Sequence, residues 1–559
     1  TETSVQHISD SRDLLVLKTR SSEPGILYVP HVDSQGCFYF ASTETLSCSS
    51  RPRPLYLELA RGQLSRLFNR GAEWITRGFV PAKPLRLAAR RAVRRFAVLS
   101  TADRDAPNYD VRCADFFKSL CDLSQRINEQ YLARVLRARE TSRWVTRFGF
   151  SAPVDFSWSK LYDSVFEPRR NGKARPKLDA VFQTVNPDFY WSDIESAPGD
   201  YNWFPFDAAM GAADIHDLKT TIGPLLRWGE TPPKYARRYE EPRVREHFKK
   251  YVAKLLERDG KRTKRWIVAS NVETRVEGVP LEIRLALAAQ TVFEIRRQNP
   301  KAKAFLGFDQ PFGDSVRRGD QDMSPFELAM RVARRKVFDG FYLEVNFGLS
   351  PNSTYPRDPM ELHRFFDRWN ALGTPICLGL SCPSAPPPQP PERDESTVLS
   401  DQFKAYSSKR GFFGFKAEDN LLASSPDEDA IEAQIWTEGM QRETIRRFIV
   451  AALSHRNVDE IIWTKFADAS APEDSADQYL TSDADDERNP YLKRRSLVDE
   501  INLDEDDEQG FELADERNVL VDYNPRDRDR FPTSGLFDEK GKAKATLHKL
   551  SAIRRAYID

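Results

Sequence analysis

Leu178 to Pro233 reads LDAVFQTVNPDFYWSDIESAPGDYNWFPFDAAMGAADIHDLKTTIGPLLRWGETPP, and its rhythm decides the fold. An apolar run, Leu178 to Val185, ends in a polar, aromatic loop, Asn186 to Trp191. A helical segment follows at Pro205 to Asp217. A second apolar run, Leu218 to Trp228, ends in Gly229-Glu230-Thr231-Pro232-Pro233. Strand, loop, helix, strand, loop is the pattern of a parallel barrel. In such barrels chemistry sits on the loops that follow the strands. Here those loops carry Asp, Glu, Asn and Trp, side chains suited to holding a sugar.

Outward from this stretch the rhythm continues. Strands are expected within Val145–Trp158, at Arg265–Asn271, Ala304–Asp309, Gly340–Phe347, Thr374–Leu380 and Val458–Phe466. Helices are expected at Glu241–Leu256, Leu281–Asn299, Pro325–Arg335, Pro359–Leu372, Glu438–Ser454 and Lys542–Arg555. The count predicts an α/β protein, a (β/α)8 TIM barrel over residues 145–559. A Pro-rich insertion at about 381–430 and an acidic one at about 469–531 lengthen the loops after strands seven and eight. The acidic insertion is expected to solvate itself and cover the barrel mouth. Before the barrel, residues 1–62 read as a β-rich, sandwich-like unit, with Leu55–Leu59 as its last strand. Residues 63–144 read as a helical extension.

Composition narrows the function. Lys plus Arg and Asp plus Glu are 84 each, so bulk charge does not favour nucleic acid. No apolar run is long enough to span a membrane. No signal-peptide core is visible, which favours a cytoplasmic over an exported protein, although the chain begins at Thr1 without Met. Six cysteines form no CxxC pair, and the histidines are not clustered, so no metal site and no cofactor are expected. The cysteines read as buried thiols, with a Cys37–Cys48 bridge as the alternative in an exported protein. Arg86 to Arg95 reads as the solvated face of a helix.

In order and spacing, several blocks resemble the xylanase family, family ten of the glycoside hydrolases. The blocks are VNPDFYWSDIESAPGDYNWFPFDAAM, GPLLRWGETPPKY, WIVASN, DGFYLEVNF, TPICLGLS, VDEIIWTKFAD and GLFDEKGKAKATLHKL. The resemblance covers about Val154 to Ala556. It implies a retaining glycosidase barrel, with an acid/base Glu after strand four and a nucleophile Glu after strand seven. Those positions fall on Asn271 and on Leu380, or with a shift on Gly379 or Ser381, so the family mechanism does not transfer. GFDQPFG, LEVN and FPTSGLFDEKGKAKATLHKL also resemble a bacterial branch related to those xylanases. It shares the degenerate strand ends and lends no activity.

The residues nominate a different site. Glu344 lies inside the apolar run FYLEVNF, two residues before Asn346, so both face the same way. A buried carboxylate needs a partner or a ligand, and Lys465 is one candidate partner. Asp309, Glu273 and Glu230 end or follow other strands and complete the candidate catalytic set with Glu344. Trp228, Trp463, Tyr190 and Trp191 are candidate sugar platforms, since an aromatic face stacks on a pyranose. Asn271, Asn346, Asp188 and Lys465 are candidate polar contacts. The expected partner is a polysaccharide or oligosaccharide, with no nucleic acid and no membrane. The expected function is a carbohydrate-active, glycoside-hydrolase-like protein with a non-standard carboxylate site. The alternative is a catalytically inactive glycan-binding or assembly protein on the same scaffold.

Overall fold

The computed structural model describes residues 3–10, 12–19, 23–49, 51–142, 144–153, 181–215, 217–227, 233, 235–236, 241–274, 280–313, 323–348, 353–385, 436–468, 533–538 and 542–557. The chain starts with two hairpins, β1 (Thr3–Asp10) with β2 (Arg12–Thr19), and β3 (Tyr28–Val32) with β4 (Phe38–Ser42). Helices α1 (Leu55–Thr76), α2 (Lys83–Thr101) and α3 (Tyr109–Glu140) follow. Leu55–Leu59 is therefore the first turn of a helix and not a strand. Leu57, Leu59, Ala60, Leu64 and Leu67 are buried on α1, and that longer helical period overrides the short alternation of LYLEL.

The barrel strands are β5 (Arg147–Pro153), β6 (Thr184–Asp188), β9 (Lys219–Ile222), β10 (Arg265–Ala269), β11 (Lys303–Phe308), β12 (Gly340–Asn346), β13 (Ile376–Ser381) and β14 (Val458–Trp463). They pair in parallel and close, β14 against β5. Between β6 and β9 lie a short helix, α4 (Trp191–Ile194), a small hairpin, β7 (Glu195–Ala197) with β8 (Asp200–Tyr201), and α5 (Phe204–Ile215). The outer layer continues with α6 (Glu241–Asp259), α7 (Leu281–Gln298), α8 (Pro325–Ala333), α9 (Pro359–Asn370), α10 (Glu438–Leu453) and α11 (Ala545–Tyr557). The eight-stranded closed barrel is the one expected. The expected second strand is displaced: it begins at Thr184 and takes in Asn186 to Asp188, read above as loop. Both long insertions fall largely outside the described residues.

Alternation sorts the strand residues into two cores. Outward side chains pack under the helices. Inward ones form a small separate cluster of Ile267, Phe305, Tyr342, Cys377 and Ile462. Below it, at the N-terminal end, Glu460 is fully buried. It accepts from Arg265 Nε at 2.7 Å and Thr221 Oγ1 at 3.0 Å, while Arg265 also forks onto Asp459. Every charge there has a partner, which is what a buried ion pair requires. Above it the interior is polar and small. Gly379 faces the Tyr342 hydroxyl so closely that a Cβ would collide with it. Asn186 donates to the carbonyls of Thr221 and Gly223, at 2.8 and 2.7 Å.

The helical extension is bonded to the barrel. Trp74 stacks on Tyr131 at 4.1 Å and meets His363 of α9 edge-on. Arg70 pairs with Asp367 at 2.5 Å, and Arg139 donates to the carbonyl of Leu453 at 2.9 Å. At the other end of the chain, Lys544 Nζ donates to Asp468 and Ser384, both at 2.6 Å, and to the carbonyl of Thr533 at 3.1 Å. That lysine clasps the two ends between which residues 469–532 run. No helix among the described residues is long and apolar enough to cross a membrane. All six cysteines are free. Cys37 is buried and Cys48 exposed, so the alternative of a bridge between them is not realised.

Candidate active site at the strand ends

The site is built around an arginine that the sequence reading passed over. After β9 the chain crosses Gly223, whose φ of 115° belongs to glycine, and a Cβ there would strike the carbonyl of Ile267. Leu225 N–H then donates to Ile267 O, and Ser270 N–H to Leu226 O, each at 2.9 Å. These bonds carry the strand pairing past the end of β9, where Arg227 bridges Ser270. Arg227 Nη1 donates to Asp309 Oδ2 at 2.7 Å and Nη2 to Glu344 Oε2 at 2.5 Å. Two carboxylates on the prongs of one guanidinium lie within about 8 Å of each other, inside the span that paired carboxylates use on glycosidic bonds.

Glu344 is fixed from two further sides. It faces inward from β12, opposite Gly379 of β13. Asn346 Nδ2 donates to Glu344 Oε1 at 2.9 Å, and Ser381 Oγ donates to Asn346 Oδ1 at 2.6 Å. Burial alone would raise the Glu344 carboxyl. The Arg227 charge, the bond from Asn346 and the more distant Lys465 outweigh it, and the group stays below the ordinary range as an anion. The partner of Glu344 is thus Arg227, with Lys465 contributing only through its field.

Glu273 behaves in the opposite way. Asn271, two residues past β10, sits in the left-handed region at φ 55°, a conformation that Asn tolerates and most side chains do not. The turn that follows buries Val272 and Glu273, which are 0% and 5% exposed. Arg284 of α7 holds this turn by donating to the carbonyls of Val272, at 2.8 Å, and Thr274. Glu273 Oε1 accepts the N–H groups of Asp309, at 2.9 Å, and Gln310, at 3.2 Å, while Oε2 is buried with no hydrogen-bond partner. Burial pushes its pKa up to about 7, against the backbone N–H groups of Glu273, Gln310 and Asp309 and the Arg284 charge.

Of the four candidate catalytic residues, Glu344, Asp309 and Glu273 therefore meet at the ends of β12, β11 and β10. Glu230, like Trp228, lies outside the described residues. Asn346 belongs to the site, and Asn271 shapes the turn that delivers Glu273. Asp188 closes β6. Tyr190 is half-buried and precedes α4, its N–H donating to Asp193 at 2.8 Å.

Two sugar platforms are corrected. Trp463 is 1% exposed and points outward, its Nε1–H donating to the carbonyl of Ser534 at 3.1 Å. Glu460 and Ile462 point inward, so period two sends Trp463 to the helix layer. Trp191 is fully buried outside the barrel, bonded to Glu195 at 2.5 Å and stacked on Tyr251 of α6. Leu380 also points into the outer core. The inward residue at the end of β13 is Ser381. Arg227 was legible by the same signal as Glu344, a charge inside an apolar run, here Leu225-Leu226-Arg227-Trp228. Ser381 and Asn186 carried no such signal.

No protein-family model matches the sequence, and no curated protein matches it. Solved structures do match, xylanases among them. Against native xylanase 10B from Thermotoga maritima the TM-score is 0.44 at 13% identity, covering 76% of this chain and 98% of that one. Xylanase 10B from Thermotoga petrophila RKU-1, in complex with xylobiose, gives 0.44 at 13% identity over 77% and 97%. Xylanase B from Clostridium stercorarium F9 gives 0.41 at 12% identity over 75% and 98%. At these values the likeness is one of fold.

Proposed function

We propose that the chain is a carbohydrate-active hydrolase in which Glu273 donates the proton and Glu344 is the anionic carboxylate. The reading rests on one observation. Two glutamates at the ends of β10 and β12, with β11 between them, are displaced in opposite directions, Glu273 up to about 7 and Glu344 below its ordinary value. Paired groups whose environments push them apart divide acid and base roles between them. Glu273, half-protonated near neutrality, protonates the glycosidic oxygen as the C–O bond breaks. Glu344, kept ionised by Arg227, either attacks the anomeric carbon or takes a proton from the attacking water. Asp309 shares the guanidinium and supports the developing positive charge. The substrate is a polysaccharide or oligosaccharide, in keeping with the strand-end blocks that resemble family ten xylanases in sequence.

The test is hydrolysis of a panel of xylo-, gluco- and manno-oligosaccharides. Glu273→Gln and Glu344→Gln should each lower kcat by about 10²-fold or more with the circular-dichroism spectrum unchanged. Full activity in either variant would refute that residue's role.

A second reading has its own observation. Arg227 holds one oxygen of both Asp309 and Glu344, and Asn271 and Leu380, or with a shift Gly379 or Ser381, stand where the resemblance places catalytic glutamates. A barrel so neutralised would bind a glycan without cutting it. Binding on a glycan array with no turnover of any bound sugar would select this reading.

A further inference from the structure

Helix α2 carries Lys83, Arg86, Arg90, Arg91, Arg94 and Arg95 and no acidic residue. It meets the rest of the protein through Leu85, Ala92 and Leu99, spaced seven apart, with Phe96 half-buried beside them. The opposite face is open, with Leu87 42% and Val98 59% exposed among the arginines. Arg95 lies over the Phe116 ring at 5.3 Å. The other five cations have no ion pair or hydrogen bond among the described residues. Arg86–Arg90, Arg90–Arg94 and Arg91–Arg95 stand four residues apart, so like charges lie over one another on successive turns. An anionic occupant would remove that repulsion.

The same chain holds the complement. Asp499–Glu516, DEINLDEDDEQGFELADE, has ten acidic residues and no Lys or Arg in eighteen positions, with Ile501, Leu503, Phe511 and Leu513 among them. We propose that this segment docks on the outer face of α2 of its own molecule, its carboxylates on the arginines and its apolar residues on Leu87 and Val98. The tether reaches. Residues 469–498 and 517–532 separate the segment from Asp468 and Thr533, and extended chain covers about 3.3–3.6 Å per residue. Thr533 sits beside Lys544 at the start of α11. That helix packs on α3, which in turn carries α2. Tethering gives the segment a high effective concentration over any free anion. The exposed apolar groups, Leu87, Val93 and Val98, offer little apolar area to a lipid surface. A net charge of zero gives free polyanions no long-range attraction.

The test places a photoreactive benzophenone amino acid at position 98 of the full chain. In the monomer at low salt it should crosslink to a peptide within 499–516. The crosslink should vanish in 1 M NaCl and in the variant combining Asp504→Asn, Glu505→Gln, Asp506→Asn, Asp507→Asn and Glu508→Gln. That variant should also be retained longer than the wild type on a heparin column, because α2 is uncovered. Crosslinks that fall only in a second copy, only elsewhere in the chain, or only onto added anionic vesicles would overturn the proposal. Equal heparin retention of the two proteins would overturn it as well.

Discussion

At the scale of single residues, the site turns on the guanidinium of Arg227. Replacing it by Met leaves Glu344 buried with its main counter-charge gone. Removing one member of a buried pair costs on the order of 3–5 kcal/mol, so R227M should lower stability by about that amount in urea unfolding. The double variant R227M/E344Q should recover part of the loss, because the fully buried carboxylate is then neutral and only the more exposed Asp309 still lacks the guanidinium. A single variant as stable as the wild type would show that Lys465 supplies the counter-charge or that water solvates the carboxylate instead. Glu273 gives a second test. Its acid form is needed for proton donation and is lost as pH rises through about 7, so kcat should fall on the alkaline side with a midpoint near there. A limb insensitive to Glu273→Gln would assign the proton to another group. Sequence alone exposed Glu344, because a Glu inside an apolar strand is conspicuous. It hid the partner, because reach across the barrel from β9 to β12 is a property of tertiary geometry.

At the scale of elements, the barrel was legible because eight apolar runs alternate with eight helical or inserted stretches, and the strand positions follow closely. Errors arose where two periods compete over a few residues. LYLEL fits alternation over five positions and a helix over twenty, and the longer match wins. Trp463, a candidate sugar platform by residue type, faces outward because Glu460 and Ile462 settle its parity. Parity also explains Gly379. Its partner across the sheet is Glu344, and the hydroxyl of Tyr342, two residues earlier on the same inward face of β12, occupies the space a Cβ would need. Gly379→Ala should therefore displace Tyr342 within a packed interior, a change that typically costs about 1–3 kcal/mol. Gly439→Ala on α10, where a Cβ would lie 3.7 Å from Thr437 Oγ1, is the control expected to be neutral or mildly stabilising. Equal melting temperatures for the two variants would contradict the clash.

At the scale of the whole molecule, the seam between helical extension and barrel is a buried cluster of rings and charges. His363 is 1% exposed, and its Nε2 lies 2.7 Å from Asn128 Oδ1, within the Trp74, Tyr131 and His455 rings. Burial, then the nearby His455 and Arg70, hold its pKa well below 6.5, with Asp367 opposing. The folded pKa is below the unfolded one, so the unfolded chain takes the proton first. The contribution to stability is therefore complete above about pH 6.5 and is lost as pH falls below it. Melting temperature should drop between pH 7.5 and 5.5, and His363→Gln should flatten that drop. An equal drop in both proteins would place the titrating group elsewhere. The seam could not be read from sequence, since Asn128 and His363 lie 235 residues apart. The Lys544 clasp has a different consequence. Because Asp468, Ser384 and Thr533 are gathered on one ammonium, and α11 packs on α3 and α10, a protease cut anywhere in residues 469–532 should leave two fragments that co-purify. The protein is in effect already a complementation pair, whose smaller partner is the last helix and its short approach.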